Sequence, residues 1–245
     1  KSKKLKNVNN FRHIDLDLLI GIDRQKNTIL NNTMNFANGN FTNNVLLWGS
    51  RGNGKSSLIK SVFVYVNKQN KSLKLLQLNK NDIFDIELIY EKFDKFKKYN
   101  FIIFIDDLSF EKIDSDYKII KSTLDGSIQN QPNNILLYVT SNRRHLMPRD
   151  MIENERSSAI HTDESVEEKI SLSDRFGLWI GFHNLSQNDY IEIIKKYCAE
   201  YNLLFNENIK KDSIKWSLQR GNRTGRSAWQ FILSHAANQN KKIKF

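Results

Sequence analysis

The sequence predicts an α/β fold: a mainly parallel sheet sandwiched between helices, followed by a small all-helical unit. Three observations carry this prediction. Short apolar runs alternate with polar segments of helix length, one of these runs enters a glycine-rich loop and then a helix, and beyond Asn184 the strand-like runs give way to amphipathic helical patterns. The runs are Val45–Trp48, Leu73–Leu78, Phe101–Ile105, Ile135–Thr140 and Leu178–Phe182. Each is too short for an ordinary helix and is bounded by polar or glycine punctuation. Strands that are apolar along their whole length are buried on both faces, which is how a parallel sheet covered by helices reads.

Between the strands, residues 58–66 have helix-compatible apolar spacing, and the polar stretches Asp82–Tyr99 and Asp114–Ile128 are long enough for covering helices,. Ser186 followed by Asp189 has the form of an N-cap, opening a helix through Tyr201 with Ile191, Ile194, Tyr197 and Cys198 on one face,. Two further helical patterns follow, near Ile209–Arg220 and Ser227–Ala237. The expected division is an α/β unit over residues 1–184 and a helical unit over 185–245,.

Composition narrows the classes of function. Hydrophobic residues make up 39% and aromatics 11%, enough for a core, and there is no run of about 18 apolar residues that could span a bilayer,. Residues Lys1–Asn10 are basic and polar, without the apolar stretch of a secretory signal, so the expected location is the cytoplasm and no membrane partner is implied,. The single cysteine, Cys198, excludes an intramolecular disulfide, and the five histidines lack the paired spacing of a metal site,. The net charge of +11 is compatible with a nucleic-acid partner, although lysine spread among asparagine and isoleucine is also what AT-biased coding gives on solvated faces,. Nucleic acid is the less favoured reading of the two.

Gly49-Ser50-Arg51-Gly52-Asn53-Gly54-Lys55-Ser56 matches G-x-x-x-x-G-K-[ST] at every position, between a strand and a helix,. In such a phosphate loop the glycines let successive backbone amides turn inward toward phosphate oxygens, and the following helix presents its positive N-terminus. Lys55 supplies charge to the β and γ phosphates, the Ser56 hydroxyl is a ligand for Mg²⁺, and Ser57 continues the cradle. ATP with Mg²⁺ is the expected ligand. The apolar strand Phe101–Ile105 ends in Asp106-Asp107, as in a Walker B motif: Asp106 for the Mg²⁺ shell and Asp107 to polarise the attacking water,. Leu136–Val139 runs into Thr140-Ser141-Asn142, which delivers Asn142 beside those carboxylates.

The order of phosphate loop, Walker B, Asn142, Arg175-Phe176 and Gly225-Arg226 before a helix resembles the AAA+ class of P-loop NTPases. Within that class the chain is most similar to an uncharacterised bacterial family of AAA+ ATPases. The runs that carry this are Asn44–Gly49, Asp106-Asp107-Leu108-Ser109-Phe110, Thr140–Leu146 and Ser171–Trp179, and the similarity extends from about Leu19 to Ile232. It implies sensor 1 at Asn142, an arginine finger at Arg175 and sensor 2 at Arg226, with Arg223 a rival for the last. It also implies that Leu19-Ile20-Gly21-Ile22 walls the adenine, with Ile20 and Gly21 in contact, while Asp23-Arg24-Gln25 opens a helix. The helical unit becomes a lid. A finger acts on a neighbour's γ phosphate, so a homo-oligomer is implied; an ion pair of Arg175 within its own subunit is the alternative.

Where most such ATPases carry Asp-Glu this chain has Asp106-Asp107, which implies slow turnover, with Asp107 the base and Glu111 a possible substitute. The function implied is an ATPase that hydrolyses MgATP at subunit interfaces to remodel an unknown protein client. Its rival is an ATP-dependent assembly switch with little hydrolysis, acting on nucleic-acid complexes. The polar stretch Arg143–Ser171, rich in both charges, is expected to order at the subunit interface and position Arg175,.

Overall fold

The computed structural model describes residues 5–8, 11–110, 115–125, 131–146 and 172–243. Five strands, β1 (Val45–Gly49), β2 (Leu73–Leu78), β3 (Asn100–Ile105), β4 (Ile135–Ser141) and β5 (Leu178–Phe182), form one sheet in the order β2-β3-β4-β1-β5, with every neighbouring pair parallel. Helices α1 (Asp23–Ala37), α2 (Lys55–Gln69), α3 (Ile86–Asp94) and α4 (Ser115–Asp125) belong to the sheet region, and α5 (Gln187–Glu200), α6 (Glu207–Gln219) and α7 (Gly225–Asn238) follow β5. The five strand positions read from the sequence match to within a residue at either end.

Alternation along each strand builds two cores, one on each face of the sheet. Val45, Leu47, Ile102, Phe104, Leu136 and Tyr138 pack against Ile29 and Phe36 of α1 and Leu58 and Val62 of α2. Their neighbours Leu46, Ile103, Ile105, Leu137 and Val139 pack on the other side against Ile86 and Tyr90 of α3 and Tyr117 and Ile120 of α4. Most of these side chains are fully buried, and each contributes about 1.5–3 kcal/mol of transfer free energy,. One polar network crosses the first core: the Tyr138 hydroxyl bonds Thr33 Oγ1 at 2.8 Å and accepts from Asn32 Nδ2 at 3.1 Å. Buried phenol and amide groups are thereby satisfied.

A third core joins Tyr190, Ile193, Ile194, Tyr197 and Cys198 of α5 to Ala228, Phe231 and Ile232 of α7. Ser186 caps α5 as the sequence predicts: its hydroxyl accepts from Asp189 N at 3.1 Å, and the Asp189 carboxylate accepts from Ser186 N at 3.2 Å. The buried face differs in one member. Ile193, not Ile191, completes it, because a step of about 100° per residue puts 190, 193, 194, 197 and 198 on one stripe and leaves 191 at its margin,.

The stretch Asp82–Tyr99 is not one helix. Asn79 and Asp82 cap a 3₁₀ turn over Lys80–Asp85, α3 ends at Asp94, and successive turns then carry the chain into β3. Of the expected helix Asp114–Ile128, α4 covers Ser115–Asp125, and residues 126–130 lie outside the described residues. Among the described residues no helix is long and apolar enough to cross a membrane, and no group of three metal-ligating side chains occurs.

Candidate functional site

The strand order brings the carboxyl ends of β1, β3 and β4 together, which is where open α/β sheets bind ligands,. Gly49 ends β1 with φ at +128°, and a Cβ there would lie 2.0 Å from the Phe182 carbonyl oxygen, so only glycine lets the chain turn off β1 beside β5,. Gly52 (φ +84°) brings the loop against the start of α7: a Cβ there would stand 3.1 Å from both Arg226 Cβ and Thr224 Oγ1. Arg226 N donates to Gly52 O at 3.1 Å across this contact. Asn53 Nδ2 donates to His183 O at 3.0 Å and so fixes the loop to the end of β5.

Lys55 is the first residue of α2, and it is buried. Its Nζ donates to Ser50 O at 2.9 Å, Gly49 O at 2.5 Å and Asn142 Oδ1 at 3.1 Å. Its pKa is lowered to about 8: burial pushes it down most, Asp107 and Asp106 oppose this, and Arg226 and Arg51 add to the lowering,. At the end of β3, Asp106 Oδ1 accepts from Ser56 Oγ and from Thr140 Oγ1, both at 2.6 Å. Asp107 has left-handed backbone (φ +56°), unusual for a non-glycine residue, and its N–H donates to Thr140 Oγ1 at 2.9 Å,. Its carboxylate accepts from Asn142 Nδ2 and pairs with Arg51 Nη2 at 3.5 Å.

These groups line one cleft of about 550 Å³, within the range of small-molecule sites,. Its polar end is made by residues 51–57 with Asp106, Asp107, Asn142 and Arg226. The rest of the lining is mostly apolar, with Leu18, Ile20, Ile193, Tyr197 and Trp229 among its members. A hydroxyl and a carboxylate 2.6 Å apart are the hard oxygen donors that Mg²⁺ takes when most of its shell is water and phosphate,. The donor set fits that ion, and the loop fits a polyphosphate.

Most sequence-predicted site residues converge here, and the exceptions are specific. Gly49 and Ser50 lie beneath the cleft and take part through their carbonyls. Gly21 packs against Leu185, which lines the cleft, and Asp189, and of the predicted pair Ile20 is the one in the lining. Arg226 lines the cleft, whereas Arg223 does not and donates to Gln187 Oε1 at 3.4 Å. Arg175 stands just before β5, at the end of the sheet opposite the phosphate loop, and is outside this cleft. Glu111 and residues 147–171, most of the charged stretch expected at an interface, lie outside the described residues.

Sequence reasoning missed Thr140, which links both aspartates, and the aromatic end made by Tyr197 and Trp229, whose rings meet edge to face at 5.3 Å. Two hydroxyls, Thr140 and Ser141, closing an apolar run were the available signal for the first. Arg226 and Trp229 lie one turn apart on α7, so helical spacing was the signal for the second,.

A parallel sheet in this order, with a phosphate loop after its first strand and helices after its last, defines the AAA+ ATPase fold. Solved structures agree. Thermotoga maritima DnaA domain III, a replication initiation protein, superposes with a TM-score of 0.59 at 15% identity, over 94% of this chain and 91% of that one. A single-residue variant of Thermotoga maritima RuvB gives 0.56 at 17% identity over 93% of this chain; the chain spans 66% of that protein, just under two thirds. A chain of the Escherichia coli MS115-1 HORMA:CdnC:Trip13 complex gives 0.58 at 12% identity, over 89% and 90%. No curated protein matches the sequence. The chain belongs to the family described as "Protein of unknown function (DUF815)", whose profile matches residues 1–239.

Proposed function

We propose that the protein is an ATPase that binds MgATP in this cleft and hydrolyses it slowly at the interface between identical subunits, to drive or switch the remodelling of a protein client. One observation carries the reading: Lys55, Ser56, Asp106, Asp107, Asn142 and Arg226, from four separate segments, converge on a single polar cleft end that opens onto an apolar one. The backbone of residues 51–55 cradles the phosphates, and Lys55 exchanges its carbonyl partners for phosphate oxygens,. Ser56 and Asp106 would hold Mg²⁺, which when bound neutralises charge on the β and γ phosphates. Asn142 orients the lytic water and Asp107 takes its proton; Arg226, carried by the helical unit acting as a lid over the nucleotide, adds charge beside the γ phosphate. Arg175 acts in trans, because its place at the far end of the sheet keeps it out of its own cleft.

A second reading, an ATP-dependent assembly switch with little hydrolysis, is favoured by the Asp107 carboxylate. It is short, and it is already held by Asn142 and Arg51. Neighbours named for replication initiation and for a multiprotein complex make either a nucleic-acid assembly or a protein client suitable.

MgATP at about 100 times its dissociation constant should stabilise the fold by about 2.7 kcal/mol, and Lys55→Ala should abolish this while leaving the protein folded. A thermal shift unchanged in Lys55→Ala refutes the site. Arg175→Ala and Asp107→Asn should each be inactive alone and regain partial turnover when mixed. Absence of rescue at every ratio, with mixed assembly verified, refutes the trans finger.

A further inference from the structure

The end of the sheet remote from the cleft carries much of the molecule's positive charge. On the β2 side four segments close it, 37–43, 68–74, 92–100 and 131–134, and asparagine side chains tie them together: Asn70 Nδ2 donates to Ala37 O, Asn100 Nδ2 to Ala37 O at 3.2 Å, and Asn134 Nδ2 to Phe93 O at 3.1 Å. These segments hold seven lysines and one acidic residue, Asp94, a formal charge of +6 against +11 for the whole chain. Composition alone would scatter lysine over the surface with acids between. Here one acid stands among seven lysines.

Lys68, Lys92 and Lys95 have a local reason to be where they are, since the last turns and C-caps of α2 and α3 favour cations,. Lys71 and Lys98 have none, Lys74 Nζ donates to Lys71 O at 2.8 Å, and of the four lysines outside the helix ends only Lys97 pairs with an acid, Asp94. All four are exposed. Lys74 and Lys98 place their ammonium groups 5.2 and 5.1 Å from the centroid of the Tyr99 ring, so like charges from β2 and from the β3 approach are held together on one half-buried aromatic. Contact with the ring holds both ammonium groups at the exposed surface, where an anion can answer them,.

We propose that this corner is a binding surface for the phosphate backbone of single-stranded nucleic acid. Its shape selects that partner over a lipid surface. Lys71 follows α2 on one face of the sheet, Lys97 and Lys98 follow α3 on the opposite face, and edge strand β2 runs between them. The charge therefore bends around an edge. A flat bilayer meets one side of such an edge, whereas a flexible strand with a phosphate at every nucleotide can follow it round.

The test is fluorescence anisotropy of a labelled oligothymidylate of about 20 nucleotides with the full chain, titrated at several salt concentrations. Engagement of four phosphates gives a slope of log K against log salt of about −3. Lys74→Glu/Lys98→Glu should weaken binding at least tenfold at the lowest salt. Lys195→Glu/Lys211→Glu, an equal charge change on α5 and α6, should weaken it less than threefold, and both variants are checked for native circular dichroism and unfolding midpoint. If either corner substitution disturbs folding, Lys74→Gln/Lys98→Gln serves in its place with the same comparison. The proposal is overturned by absence of binding at low salt, by equal loss in the two variants, or by preference for duplex. Binding to phosphatidylserine vesicles in place of the oligonucleotide, with exposed Phe41 on the adjoining loop as the anchor, also overturns it.

Discussion

Replacing Thr140 by valine removes one hydroxyl from a fully buried position and tests whether that hydroxyl organises both carboxylates. Thr140 Oγ1 donates to Asp106 Oδ1 at 2.6 Å and accepts from Asp107 N at 2.9 Å. Valine has nearly the same shape, so no cavity opens and the cost is that of the two hydrogen bonds. A hydrogen bond to a charged group contributes about 1.5–3 kcal/mol, and an N–H left facing a methyl costs about 1–3 kcal/mol. Asp106 keeps its bond from Ser56, and Asp107 is partly open to water, so a total near the lower ends, about 3 kcal/mol, is expected,. That is within the stability of an ordinary domain, and the variant should fold with its midpoint lowered by about 6–12 °C. Thr140→Ser restores the hydroxyl and should recover most of the loss. Urea unfolding measures the stability, and MgATP titration at varied Mg²⁺ measures the site, where the half-saturating Mg²⁺ concentration should rise in Thr140→Val and return in Thr140→Ser. A valine variant within about 0.5 kcal/mol of wild type, with its Mg²⁺ dependence unchanged, refutes the reasoning.

Lys55 gives a pH signature of two opposite signs. Its folded pKa is lowered from 10.5 to about 8, so between these values the unfolded chain binds more protons and stability should rise with pH, whereas MgATP affinity should fall above about pH 8 by up to about tenfold per unit,. Unfolding midpoints and dissociation constants between about pH 7 and 10 test this, and the stability trend should vanish in Lys55→Ala. Trp229, in the apolar end of the cleft, should change its fluorescence when a nucleotide binds. Trp229→Ala should weaken ADP about tenfold while leaving tripolyphosphate unaffected, as stacking on a base predicts; equal loss for both ligands refutes a base contact.

The phosphate loop, the strands and their terminal carboxylates were legible because each rests on local chemistry: glycines that must turn, apolar runs that must be buried, and a cap at Ser186 that satisfies orphan amides. What escaped depends on which strands meet. Thr140 reads as any strand residue until β4 is known to lie between β3 and β1. Gly21 reads as one of a pair until Leu185 and α5 are found packed against it, and the 3₁₀ turn ahead of α3 starts where Asn79 and Asp82 bond each other. Arg175 was placed by resemblance alone, and its position at the far end of the sheet follows only from the β1–β5 register.

That register also has a consequence for synthesis. Strand β1 is the first to leave the ribosome, yet Val45 pairs with Tyr138 on one side and Leu178 on the other, and Gly52 accepts from Arg226. Contacts so distant along the chain form slowly, because the intervening loop must be closed before any of them is gained. The phosphate loop is therefore translated early and completed late, when α7 has docked. A nascent or truncated chain presents β1 with both edges unpaired, a surface for chaperones or for aggregation. Nucleotide binding in this cleft would thus report that synthesis has passed α7.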